Sequence, residues 1–143
     1  MASVNGTNYA KTADPTSSNI LDRGVVGGNV KVMHDTYDAA SLAADSTIKI
    51  GKDLQDGVRI LDVWIVADAL GSSVTLAAGD SETSERYISA TSANSADLRL
   101  DLDTIAGFNY EIGTNDGDNT ILVTLAGAAG TGTIKVGVLY TES

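Results

Sequence analysis

The sequence predicts an all-β protein, an antiparallel β-sandwich with jelly-roll-like connections and an extended N-terminal arm. Three observations carry that prediction. From Gly27 onward, short runs rich in Val, Ile, Leu and Tyr recur at short intervals, separated by turn residues. Glycine is plentiful, at 15 residues against the lone Pro15, which suits many tight turns. Helical periodicity is nearly absent, its one plausible stretch being DAASLAAD at residues 38–45, which is short and could equally be an irregular loop. With 143 residues, 43% of them hydrophobic, the chain fits one domain with a real core.

Residues 1–24, MASVNGTNYAKTADPTSSNILDRG, are small and polar and follow neither period, so an extended arm is expected ahead of a sandwich domain over 25–143. Val4, Tyr9, Ile20 and Leu21 are the residues able to anchor the arm on an apolar surface.

The strands follow in order. GNVKVMHDTY places Val30 and Val32 on one face, and STIKIG does the same for Ile48 and Ile50. Asp56 and Gly57 read as a tight turn into VRILDVWIVADAL, because glycine accepts the positive φ of such turns. SSVTLAAG, ERYISATS, DLRLDLD, FNYEIG, TILVTLAG and GTIKVGVLYT complete about nine strands. Alternation is cleanest where Leu98, Leu100 and Leu102 oppose Arg99, Asp101 and Asp103, and where Ile134, Val136, Val138 and Tyr140 align. The pattern suits half-buried strands.

VRILDVWIVADAL, residues 58–70, breaks the rule. Leu61, Val63 and Ile65 fall on one parity, and Val58, Ile60, Trp64 and Val66 on the other. Parity alone does not assign the core face. A strand apolar on both sides needs a second cover, which a partner subunit, a neighbour's arm or a loop of the same chain could provide. The expected interface lies near Ile60, Trp64 and Val66, with the arm residues Tyr9, Ile20 and Leu21 as a second contact.

Nineteen acidic against nine basic side chains give a formal charge of −10. Residues 80–118 concentrate it, with nine carboxylates facing only Arg86 and Arg99. Nucleic-acid binding needs a basic patch that releases counterions, and an anionic membrane surface repels such a chain, so neither is an expected partner. There is no cysteine, which rules out disulfides and zinc-thiolate sites. The N-terminus lacks the pattern of a secretory signal, and the longest apolar run, Val63 to Ala67, falls far below the roughly 20 residues of a membrane span. A soluble protein made in a cytoplasm is expected.

Catalytic chemistry finds little support. The single histidine, His34, sits in a strand pattern without a nucleophile motif. Asp101 and Asp103 would stand about 7 Å apart, loosely a glycosidase spacing, but the alternating leucines make them a solvated strand face. TNDGDNT, residues 114–120, offers Asn115, Asp116, Asp118 and Asn119 as oxygen donors but lacks the distal Glu of a calcium loop, and reads as a hairpin turn between FNYEIG and TILVTLAG. GAAGTG near residue 130 lacks a phosphate-binding Lys and precedes a strand, which makes it a turn. Trp64 and Tyr140 could serve as sugar-stacking platforms, although aromatics are only 5% of the chain. No catalytic residue, cofactor or metal is expected.

The order NGTNYAK, ADPTSSNIL, GGNVKVMHDTY, STIKIGKDLQDGVRILDVWIVADAL, SSVTLAAGDS, RYIS, GTNDGDNTILVTLAGAAGTGTIKVGVLYT resembles the capsid decoration, or cement, proteins of tailed bacteriophages. The resemblance covers nearly the whole chain but consists of strand and turn texture. It implies a non-enzymatic structural virion protein, made in the host bacterial cytoplasm. Such a protein binds the exterior of the icosahedral head, often as a homotrimer, and bridges major capsid protein subunits. Two alternatives remain open from the sequence, a glycan-binding sandwich displayed on a virion and another assembly part such as a head-fibre base or tail component.

Overall fold

In a computed structural model, residues 29–113 and 117–142 are described, together with Val4. The expected arm, with Tyr9, Ile20 and Leu21, lies outside the described residues apart from an exposed Val4. Nine strands and no helix occur among the described residues: β1 (Asn29–Leu42), β2 (Ser46–Ile50), β3 (Arg59–Ala67), β4 (Thr75–Gly79), β5 (Ile88–Ser92), β6 (Leu98–Asp101), β7 (Tyr110–Glu111), β8 (Ile121–Ala126) and β9 (Gly130–Glu142). Each corresponds to one of the apolar runs read from the sequence.

The strands form two antiparallel sheets. One runs β1-β9-β3-β6, with β7 pairing the part of β3 that β6 does not reach, and the other runs β2-β8-β4-β5. The pairs β1/β9, β2/β8, β3/β6 and β4/β5 are those of one long hairpin with its tip at β4/β5. Rolled over so that β3 also meets β9 and β4 also meets β8, that hairpin gives the eight-stranded jelly roll, with β7 added. The core lies between the sheets. Ile60, Val63, Ile65, Ile134, Val136 and Val138 from the first sheet meet Leu76, Ile88, Ile121, Val123 and Leu125 from the second.

Three expectations require correction. The helix considered over 38–45 is instead the end of β1 and the turn after it, because pairing with β9 outweighs the helical propensity of four alanines. A bulge there takes Ala40 and Ser41 out of register with β9, Ser41 adopting φ 52° with its N–H donating to Thr131 Oγ1 at 2.9 Å. The turn at Asp56 and Gly57 is present, with Gly57 at φ 93°, but it carries the chain from one sheet to the other. The segment before β8 is likewise no hairpin, since β7 and β8 belong to different sheets.

A bulge also resolves the two-faced strand. Ile60 faces Tyr140 and Asp62 faces Leu139, so Leu61 is an extra residue in β3. One extra residue reverses the side-chain parity that follows. Val58 and Ile60 before the bulge, and Val63, Ile65 and Ala67 after it, therefore all point into the core. Ile60 is fully buried and cannot share an interface with Trp64 and Val66, which stand half-buried on the outer face.

Candidate functional site

The outer face of the β1-β9-β3-β6 sheet is the first candidate. β1 brings Val30 and Val32, 61% and 56% exposed, with His34 and Thr36 on the same side. They share a face, as the alternation requires, and it is the solvent face. Across the sheet, one row reads His34, Gly137, Trp64 and Asp101, and the next reads Thr36, Lys135, Val66 and Arg99. The Trp64 ring lies against Gly137, and the Arg99 guanidinium sits 5.9 Å from the ring centroid, tethered by a 3.0 Å hydrogen bond to Asp101. Cation–π contact and the glycine seat thus give Trp64 a local cover. A shallow depression of about 410 Å³ remains beside it, lined by His34, Thr36, Trp64, Val66, Lys135 and Gly137. This face can bury an apolar partner while its rim offers charges of both signs.

The second candidate is the loop between β6 and β7. Ile105 is 99% exposed and Phe108 is 60% exposed. The loop is pinned: Asp103 N–H donates to the Tyr87 carbonyl at 3.0 Å, Gly107 N–H to Thr104 Oγ1 at 3.0 Å, and Asn109 N–H to the Ile60 carbonyl at 2.7 Å. Thr104 Oγ1 also donates to the Arg86 carbonyl. Two apolar side chains are therefore held outward on a preorganised support, which lowers the entropy lost on docking.

A buried polar chain supplies that support. Asp80 accepts from the backbone N–H groups of Glu82 and Thr83 at 3.0 and 2.8 Å and from Arg86 Nε. Arg86 stacks over Tyr110, its guanidinium carbon 4.1 Å from the ring centroid. Tyr110 Oη donates to Asp118 Oδ2 at 2.7 Å, and Gly113 N–H donates to the same carboxylate at 3.1 Å. Burial works against the Arg86 charge, but the Asp80 hydrogen bond and charge more than offset it, so the guanidinium pKa is raised.

The structure separates the other residues considered from the sequence. Asp118 turns inward onto Tyr110 and Gly113, while Asn115 and Asp116 lie outside the described residues. Among the described residues, no cluster of three or more His, Asp or Glu is placed to hold a metal ion. Asp101 pairs with Arg99 and Asp103 accepts from Ser89 N–H, so they do not converge on a common substrate position. Tyr140 is a core residue, 3% exposed, and cannot form a sugar platform with Trp64. TIAG, with Ile105, shows no alternation, and Phe108, expected as the start of the strand FNYEIG, lies in the loop ahead of β7. Their exposure follows from the hydrogen bonds around the loop, which a local pattern does not encode.

No family model and no curated protein matches the sequence. Solved structures do match the fold. The chain is similar to a chain of the cyanophage Pam1 capsid asymmetric unit (TM-score 0.63, 23% identity) and to one of the Ralstonia phage GP4 capsid (TM-score 0.62, 16% identity), covering 81% of this chain and 86% of each of those. A chain in the acid-stable capsid of Helicobacter pylori bacteriophage KHP30 matches with TM-score 0.56 at 10% identity, over 78% of this chain and 86% of that one. The protein thus has the two-sheet antiparallel sandwich fold of chains found in three phage capsids.

Proposed function

We propose that the protein is a structural component of a phage virion, a decoration or cement protein on the exterior of the head that stabilises the shell by bridging major capsid protein subunits. The observation that carries this reading is the likeness in fold to chains of three phage capsids, over 86% of each. Similar shares of both partners are covered, so the neighbours are chains of comparable length. The apolar outer face around Trp64 and Val66 and the pinned tip at Ile105 and Phe108 supply contact surfaces of the kind a shell-binding protein needs. The charge of −10 keeps such a protein soluble at high copy number and draws it to basic partner surfaces.

On this reading the role is mechanical, and the protein is not an enzyme. Each subunit contact is modest, and a homo-oligomer, in the first instance a trimer, multiplies several of them through avidity. Residues 1–24 serve as an arm beside the sandwich domain of 25–143, with Tyr9, Ile20 and Leu21 as a second set of contacts. Synthesis is in the host bacterial cytoplasm, followed by assembly onto the head.

The test is the copy number of this polypeptide relative to the major capsid protein in purified particles, by quantitative mass spectrometry. A one-to-one ratio or a fixed simple fraction of it is expected. A few copies per particle would indicate a vertex, neck or tail part, and absence from particles would end the virion reading.

A further inference from the structure

Strand β1 is 14 residues long and stands at the edge of its sheet, with β9 on one side and, among the described residues, no strand on the other. A long edge of unpaired backbone N–H and C=O groups is a template for another strand, and proteins usually blunt it with proline, short length or charge. β1 has no proline. Its inward parity carries Lys31, Met33 and Asp35, the register partners of Tyr140, Val138 and Val136, and its outward parity carries Val30, Val32, His34 and Thr36. The two inward charges have opposite sign and lie symmetrically about Met33.

That symmetry selects a partner. We propose that β1 pairs antiparallel with β1 of a second copy, about a two-fold axis through Met33, so that the two β1-β9-β3-β6 sheets join into one. Directly opposed residues of an antiparallel pair share a face, which restricts a two-fold axis to registers centred on a residue. Centred on Met33, the register sets Lys31 against the partner subunit's Asp35 twice, Val30 against Thr36 twice and Val32 against His34 twice. Centring on His34 would oppose two histidines and pair Met33 with Asp35. Centring on Asp35 would oppose two aspartates, and centring on Val32 would leave Lys31 facing Met33. Opposite charges directly across a sheet attract and like charges repel, so the Met33 register is the favoured one.

The limits of the strand fit the same register. Pairing about Met33 runs from Asn29 to Tyr37 and stops before Asp38 and the bulge at Ala40 and Ser41. That bulge ends a regular edge where the pairing ends, which keeps the contact closed. Lys31 already bonds Glu142 at 2.8 Å, and Asp35 accepts from Gly51 N–H and from Thr36 N–H, each at 2.9 Å, so both charges are positioned before a partner arrives. The Thr36 N–H must leave Asp35 if it is to bond the partner strand. The joined sheet covers neither the Trp64 ring nor Ile105 and Phe108, leaving both surfaces available for other contacts.

The chain has no cysteine, so single-cysteine variants report the register directly. Opposed Cα atoms across an antiparallel pair stand about 5 Å apart, within disulfide reach. Mild oxidation of Met33→Cys is expected to give a covalent species of twice the chain mass. Val32→Cys and His34→Cys, both on the exposed face, are each expected to stay uncrosslinked alone and to link when mixed. Failure of the mixture to link while its thiols remain titratable, or equal linking of Val32→Cys alone, would overturn the proposal even if Met33→Cys failed to fold. A strand from another part of the chain or from the shell on this edge would give the same negative result. This two-fold contact joins two copies and is distinct from any three-fold contact of the proposed trimer; its outcome is independent of the virion reading, which the particle copy number decides separately.

Discussion

Trp64 and Gly137 face each other across β3 and β9, and the indole occupies the space a side chain at 137 would need. A Cβ at residue 137 would stand 2.2 Å from Cζ2 of the ring and 2.3 Å from Cε2. An aromatic ring seated on a strand glycine replaces the packing that the glycine lacks, and holds a bulky side chain flat on an otherwise open face.

Gly137→Ala is therefore expected to expel the ring from its seat. The cost of such overpacking is about 1–3 kcal/mol. Trp64 is the sole tryptophan, so the displacement is read by intrinsic fluorescence, with emission moving to the red as the indole becomes wetter. An unshifted spectrum with unchanged stability would show that the ring does not rest on Gly137 in solution.

Trp64→Ala separates fold from function. The side chain is half-buried on the outer face and makes no part of the inter-sheet core, so the variant is expected to remain folded. On the proposed decoration role, binding to purified shells lacking this protein should fall by an order of magnitude or more, as for an aromatic anchor worth about 2 kcal/mol. Retained shell binding would remove Trp64 from the contact surface.

Arg86→Met leaves Asp80, whose side chain is fully buried, without its counter-charge. Breaking a buried pair on one side costs about 3–5 kcal/mol, whereas removing both charges is far milder. Chemical denaturation should show Arg86→Met markedly destabilised, and Asp80→Asn with Arg86→Met largely recovered. Equal loss in the single and double variants would mean that the network stabilises through packing alone.

Tyr87 sets an alkaline limit. Its hydroxyl is buried without a hydrogen-bond partner among the described residues, and burial first, then the Asp80 charge, pushes its pKa well above the ordinary 10.0. The folded state keeps the phenol neutral where the unfolded chain ionises. The associated stability is fully present below pH 10 and is lost progressively as pH rises above it. Tyr87→Phe should flatten that decline and match or exceed the parent stability at neutral pH, because an unsatisfied buried hydroxyl is removed. Thermal melts between pH 8 and about 11 check both statements.

Ile105→Ser and Phe108→Ser should change stability by no more than about 0.5 kcal/mol, since the loop is held by backbone groups and Thr104. If the tip docks on a shell, the same variants lose binding at unchanged melting temperature. A large drop in melting temperature would instead show that these side chains pack within the fold.

The sequence by itself determined the class and the elements. Alternation in LRLDLD and TIKVGVLY marked Leu100, Ile134, Val136, Val138 and Tyr140 as one-faced, and all five are buried. Period-two patterning is a local property, so it survives without knowledge of neighbours. Tertiary structure decided the rest. Whether Ile60 and Trp64 share a face depends on Leu61 being skipped in the pairing with β9, a register choice made between strands about 80 residues apart. DAASL became the end of a strand because β9 offered its backbone, and the inward turn of Asp118 is set by Tyr110 and Gly113, which reach it from β7 and the residues after it. The exposure of Ile105 and Phe108 follows from hydrogen bonds to Arg86, Tyr87 and Ile60, residues brought alongside only by the rolled hairpin. Patterns within a strand are written in the chain. Which strand meets which, and where a bulge shifts the phase, is settled by the free energy of the assembled sheets.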